Sequence, residues 1–163
     1  MYLNYIEHIM NGNFFYNKKI FITGINGFKG SWLSFYLNQI GSKVAGIGLK
    51  KDSSEIFKKL KIYKEINFHN QNILDFKKVN SLIKKFKPDL IIHLAAQSIV
   101  AESYVNPIDT FKINVIGSGN IIRIAKEQKI PGLVYITSDK CYLNKETLSP
   151  YKEDDQLGGI DFY

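Results

Sequence analysis

Three glycines, Gly24, Gly27 and Gly30, stand in the order G-x-x-G-x-x-G within the stretch TGINGFKG. An apolar run precedes them and an amphipathic segment follows. In that setting glycines permit a tight turn and bring backbone N–H groups against a phosphate at a helix N-terminus. The chemistry is that of cradling a dinucleotide pyrophosphate; the plain alternative is an ordinary strand-to-helix turn. A second cluster, Ser138-Asp139-Lys140, follows another apolar run late in the chain. A hydroxyl, a carboxylate and an amine in succession can bond, protonate and deprotonate a substrate, or merely cap a polar loop. His93, inside an apolar run, reads as a hydrogen-bonded core histidine. Cys141 has no paired histidine and reads as a structural thiol, and no His, Cys or carboxylate group has metal-ligand spacing.

The adenosine side of such a site needs a carboxylate about 20 residues beyond the glycine loop to accept from a ribose 2′-hydroxyl. The chain offers Lys50-Lys51-Asp52 there. Asp52 suits NAD, whereas the lysines suit a 2′-phosphate. Spacing leaves NAD and NADP both open.

The elements that must position these residues alternate. Ile20–Ile22 predicts a first strand, and Lys43–Leu49 a second. A helix is predicted over 53–60, capped by Ser53 or Asp52, and a third strand over 65–69. Phe76, Val79, Leu82, Ile83 and Phe86 recur at helical spacing and stop before Pro88. Asp89–Ala96 reads as a strand buried on both faces. Pro107–Lys129 predicts a long amphipathic helix carrying Phe111, Val115, Ile116, Ile121, Ile122 and Ile124, with Gly117 and Gly119 allowing close packing. Gly132–Thr137 is a fifth strand, and 138–163 reads as loop. Strands alternating with helices imply an α/β fold: a doubly wound, Rossmann-like parallel sheet of about five strands, order 3-2-1-4-5. The sheet is incomplete at that strand count. Its ligand crevice lies beyond the carboxyl ends of strands 1 and 4. Residues 1–17 read as a leader that packs Phe14, Phe15 and Tyr16 on the first strand.

Composition narrows the classes. The chain has 163 residues, 45% of them hydrophobic, enough for one domain with a core. No long apolar window predicts a transmembrane helix, and the N-terminus lacks the pattern of a signal peptide. One cysteine excludes an internal disulfide framework and fits a reducing cytoplasm. The net charge is +7, and only Arg123 among the 22 basic residues is arginine. Lysines scattered along helices are solvating charge or a weak attraction for anionic nucleotides. Without a recognisable nucleic-acid module they do not predict nucleic-acid binding.

Three segments carry a family resemblance: TGINGFKGSWLS (23–34), HLAAQSIVAESYVNPIDTFKINVIGSG (93–119), and VYITSDKCY with YKEDDQLGGIDFY (134–163). Together they resemble the extended short-chain dehydrogenase/reductase superfamily of NAD-dependent epimerases and dehydratases. Within it they are most similar to the CDP-glucose 4,6-dehydratases, from about Phe14 onward. The resemblance implies NAD as cofactor, a nucleotide-sugar substrate and a homodimer. It also implies a cytoplasmic lyase of deoxysugar biosynthesis, such as serves lipopolysaccharide O-antigen. In that chemistry hydride leaves C4 of the sugar, water is eliminated across C5 and C6, and hydride returns to C6.

Carried over by position, the resemblance implies Gly24, Asn26, Gly27, Phe28, Lys29, Gly30, Asn72, Ile73, Leu94, Ala95, Ala96, Asn114 and Thr137 at the cofactor. It implies Gln97, Ser103 and Tyr104 at the substrate. Ser138 matches the hydroxyl that bonds the sugar 4-oxygen, Asp139 the general acid, and Tyr163 the tyrosine of a Tyr-x-x-x-Lys pair. Lys140 takes the elimination role that a glutamate has in related dehydratases, which requires it neutral. Ile25-Asn26 replaces a common His-Thr, and Asn72 replaces an aspartate at the adenine amino group. Tyr163 is the last residue of the sequence. The expectation is therefore an N-terminal, dinucleotide-binding domain over 18–163 without its partner lysine, its substrate domain or half its dimer face. As an isolated chain it is expected to be inactive or a non-catalytic dinucleotide-binding module.

Overall fold

The computed structural model describes residues 13–146, 148–159 and 162, so residues 1–12 of the expected leader and Tyr163 lie outside the described residues. Among the described residues, five strands are separated by one or more of six α-helices. They are β1 (Lys19–Thr23), α1 (Phe28–Gln39), β2 (Lys43–Gly48), α2 (Glu55–Lys59), β3 (Asn67–Asn70) and α3 (Phe76–Phe86). Then come β4 (Leu90–His93), α4 (Val100–Val105), α5 (Pro107–Phe111), α6 (Ser118–Glu127) and β5 (Gly132–Tyr135). The sheet order is β3-β2-β1-β4-β5, and every pairing is parallel. This is the doubly wound arrangement anticipated from the alternation of elements.

Why the central strands lack an alternating pattern is clear from what covers them. Ile20 and Ile22 turn one way, into a core shared with Ile25, Leu37, Val44 and Phe57 beneath α1 and α2. Phe21 turns the other way, into a core with Ile91, Val79, Ile83, Ile121 and Ile124 beneath α3 and α6. Both faces are dry, so both sets must be apolar. Each such side chain contributes roughly 1.5–3 kcal/mol of burial.

Helix ends follow local chemistry. Asp75 caps α3 by accepting from the N–H of Lys78 at 3.2 Å. Lys87 ends that helix in the left-handed region, φ 54°, ahead of Pro88. The cap of α2 is Ser54, which accepts from Phe57 N–H, and not Ser53 or Asp52. The Ser53 hydroxyl is instead tied to the preceding turn, accepting from Asn26 Nδ2 and donating to the carbonyl of Lys50.

The structure corrects other boundaries. β4 ends at His93 and not Ala96, because Leu94–Ala96 leave the sheet to pass over the glycine loop. The short helix α4 lies in a stretch read only as connection. The long amphipathic segment is α5 and α6 joined by a π-helical turn, Lys112–Gly117. Gly117 packs on Ile73, where a side chain would collide, but Gly119 faces open space. Ile121 and Ile124 are buried, whereas Phe111, Val115, Ile116 and Ile122 are exposed. Among the described residues no helix is long and apolar enough to cross a membrane, and no group of His, Cys, Asp or Glu is placed to hold a metal.

Candidate functional site

The carboxyl ends of β1, β4 and β5 open on one cleft of about 800 Å³. β1 delivers Thr23 and then the glycine turn, which closes with Gly27 N–H donating to Gly24 O at 3.0 Å. Gly24 has φ +68°, and a side chain there would meet the Ala95 nitrogen at 2.8 Å. A side chain on Gly30 would collide with the Gly24 carbonyl. Both positions therefore require glycine: one for turn and close approach, the other for helix-on-loop packing.

Gly27 precedes α1 without a side-chain cap, and Ser31 N–H to Gly27 O is the first helical bond, at 2.9 Å. The N–H groups of Phe28, Lys29 and Gly30 come before that bond. They lie at the positive end of the helix, on the wall of the cleft. A pyrophosphate fits that arrangement: uncommitted donors, no intervening side chains and a cationic neighbour in Lys29.

Around the cradle, the residues implied for the cofactor converge. Gly24, Asn26, Gly27, Phe28, Lys29 and Gly30 line the cleft on the β1 side. Leu94, Ala95, Ala96 and Asn114 line it on the β4 side, and Asn72, Ile73 and Thr137 complete the set. Several have local duties as well. Asn114 accepts from Gln97 N–H at 2.8 Å and donates to Gln97 O at 3.0 Å, so it fixes the β4 rim. Asn72 Oδ1 already accepts from Leu74 N–H at 2.9 Å, leaving its other lone pair for an adenine amino group. Asp52 borders the cleft with Leu49, whereas Lys50 and Lys51 do not.

Beneath the cradle lies a buried polar chain. Ala95 N–H donates to Thr23 Oγ1 at 3.2 Å, and Thr23 Oγ1 lies 2.5 Å from His93 Nδ1. His93 Nε2 lies 2.9 Å from Ser118 Oγ. The arrangement that uses each donor once has the Thr23 hydroxyl donating to Nδ1 and Nε2–H donating to Ser118. Burial lowers the His93 pKa to about 4, so the imidazole is neutral. Tyr135 stacks on it at 5.2 Å. The core reading of His93 from sequence agrees with this geometry.

At the far end, Ser138 caps a short turn over Asp139–Cys141, accepting from Lys140 N–H. Its hydroxyl donates to Asp139 Oδ1 at 3.2 Å. Ser138 and Lys140 border the cleft; Asp139 does not. Nor do the three positions implied for substrate. Gln97 donates to Thr110 Oγ1 at 3.0 Å. Ser103 is fully buried and donates to Val100 O. Tyr104 is exposed and packs edge-on against Phe162. Sequence reasoning missed Ser98, Ser118 and Tyr135 on the cleft wall; for Ser118 the signal available was helical spacing from Asn114.

Comparison with known proteins gives a consistent set. A family model described as GDP-mannose 4,6-dehydratase matches residues 21–163. The CDP-glucose 4,6-dehydratase of Salmonella typhimurium is 38% identical over 157 residues, 95% of this chain and 44% of the relative. The UDP-Glc/GlcNAc 4-epimerase of Campylobacter jejuni superposes with a TM-score of 0.80 at 25% identity, over 90% of this chain and 44% of that one. The Bordetella bronchiseptica enzyme WbmH, solved in complex with NAD+, gives 0.77 at 28% identity, over 90% and 48%. The chain thus spans less than half the length of each of these relatives.

Proposed function

The chain belongs to the GDP-mannose 4,6-dehydratase family, and on that premise we propose that it forms the NAD-binding portion of a sugar-nucleotide 4,6-dehydratase acting in the cytoplasm. The observation that carries this reading is the cradle. Gly24 and Gly30 exclude side chains, and the first N–H groups of α1 face a cleft that runs to Ser138 and Lys140. The Salmonella relative, at 38% identity, favours CDP-glucose as substrate and a 4-keto-6-deoxy sugar nucleotide as product.

In this reading NAD, when bound, supplies the hydride acceptor and later the donor. The chain's own groups do the rest. Phe28, Lys29 and Gly30 N–H bind the pyrophosphate, and Asp52 accepts from the adenosine ribose. Leu94, Ala95, Ala96, Ile73 and Thr137 exclude water beside the ring systems. Ser138 donates to the sugar 4-oxygen while Tyr163 takes the 4-hydroxyl proton. Lys140 removes the C5 proton, and Asp139, which must turn from Ser138 into the cleft, protonates the departing 6-hydroxyl.

Turnover is proposed to need residues beyond these 163. Gln97, Ser103 and Tyr104 are engaged elsewhere, which favours a dinucleotide-binding module when the chain is studied alone. The test is equilibrium dialysis of NAD+ against the chain, followed by an assay of CDP-glucose conversion. Bound NAD+ without keto-sugar product is expected. Failure to retain NAD+ removes the proposal; product formation removes its claim about turnover.

A further inference from the structure

The side chain of Asn26 is almost wholly buried, at 2% exposure, although it belongs to the glycine loop. Its Nδ2 donates to Leu49 O at 2.7 Å and to Ser53 Oγ at 2.9 Å. Those partners flank a single 3₁₀ turn, Lys50–Asp52, which holds the one carboxylate of that turn, Asp52, at the cleft wall. The turn is closed on itself by Asp52 N–H to Leu49 O at 2.9 Å and by Ser53 Oγ–H to Lys50 O at 2.8 Å. Leu49 O thus accepts from both Asn26 and Asp52.

Two further bonds run the same way. Ser54 N–H donates to Asn26 O at 2.8 Å, and the Ser31 and Ser54 hydroxyls meet at 2.8 Å. Gly48 completes the fit, because a side chain there would occupy the place of the Asn26 amide oxygen. The loop that would hold pyrophosphate and the turn that would hold ribose are one polar unit, with Asn26 as its cross-piece.

We propose that Asn26 is a positioning residue that fixes the span from the glycine cradle to Asp52, and so sets the preference for NAD over its 2′-phosphorylated form. This rests on the NAD-binding reading above. A carboxylate held at the ribose accepts from a 2′-hydroxyl and repels a 2′-phosphate. That discrimination depends on where the carboxylate stands relative to the pyrophosphate, because the two ends of the ligand are joined covalently. Alanine at 26 removes both donors and leaves a gap above Gly48, so the turn loses its tie while Asp52 is still present.

The experiment is calorimetric titration of the 163-residue chain with NAD+, NADP+ and inorganic pyrophosphate, for wild type, Asn26→Ala, Ser53→Ala, Asp52→Ala and the Asn26→Ala/Asp52→Ala pair. Ser53→Ala removes the bond from Asn26 and the bond to Lys50 O but leaves the glycine loop intact, so it serves if Asn26→Ala does not fold. The expected result is a fall of about five- to tenfold in the NAD+/NADP+ affinity ratio for Asn26→Ala, with a smaller fall for Ser53→Ala. The pyrophosphate titration reports any change in the cradle itself, which acts on both dinucleotides alike and drops out of their ratio, and the double variant has the ratio of Asp52→Ala alone. An unchanged ratio in the folded single variants overturns the inference, as does a double variant in which the two effects simply add. A wild-type chain that binds neither dinucleotide overturns the underlying reading with it, whereas a wild-type preference that survives in the variants overturns this inference only.

Discussion

Thr23 Oγ1 lies 2.5 Å from His93 Nδ1, and this contact joins the two central strands at the floor of the cleft. Together with Ser118 on Nε2, it satisfies a neutral imidazole on both sides. A proton would find no counter-charge among these partners, and burial lowers the His93 pKa to about 4.

Stability should therefore depend on pH through this residue. An unfolded histidine has a pKa near 6.5, so between that value and about 4 the unfolded chain binds a proton that the native chain refuses. The contribution is complete above about pH 6.5 and declines as pH falls, by at most about 3 kcal/mol. Urea unfolding of wild type and His93→Gln at pH 7.5 and pH 4.5 would measure it, as the difference between the two chains. A wild-type chain that loses no more stability than the variant on acidification would contradict the assignment.

Gly24→Ala places a Cβ against Ala95 N, 2.8 Å away, at φ +68°. The backbone penalty and the collision add, for a loss of roughly 2–4 kcal/mol in unfolding free energy. Gly119→Ala, facing open space within a helix, should instead be neutral or stabilising by up to about 1 kcal/mol. Thermal melts of the two variants side by side give the comparison; equal effects would mean that the loop geometry is wrong.

The α5–α6 face exposes Ile108, Phe111, Val115 and Ile122, and such a stripe favours self-association. Sedimentation of the wild-type chain should show concentration-dependent oligomers that Phe111→Glu removes, with little change in folding. A strictly monomeric wild type would contradict self-association through this face.

How far the sequence carried the fold depends on the kind of signal. Continuous apolar runs located β1 and β4, because a strand covered on both faces has no polar positions to confuse the period; β5 was located by its apolar run although it is an edge strand with Val134 and Tyr135 exposed. Helical spacing in Phe76–Phe86 located α3 for the opposite reason: Val79 and Ile83 are buried on one face and the lysines are exposed on the other, which makes the period plain. Boundaries were harder. Leu94-Ala95-Ala96 looks like strand by composition, yet leaves the sheet because it must pass over Gly24. Ser53 and Ser54 are equivalent as letters; which one caps α2 depends on Asn26 having claimed Ser53. At the site, residues acting through the backbone were legible, since glycine spacing encodes them directly. Gln97, Ser103 and Tyr104 were carried by resemblance alone, and their side chains engage α4, α5 and Phe162 instead of the cleft. The duties of Asn26 and Asn114 are tertiary, and nothing in their local sequence announces them.

The glycine loop of this chain is proposed to hold NAD. Isothermal titration of NAD+ into the 163-residue chain, repeated with NADP+, tests it most directly. Saturable one-to-one binding of NAD+, displaced by ADP-ribose and weaker for NADP+, is expected. No binding of NAD+, or tighter binding of NADP+, would contradict it.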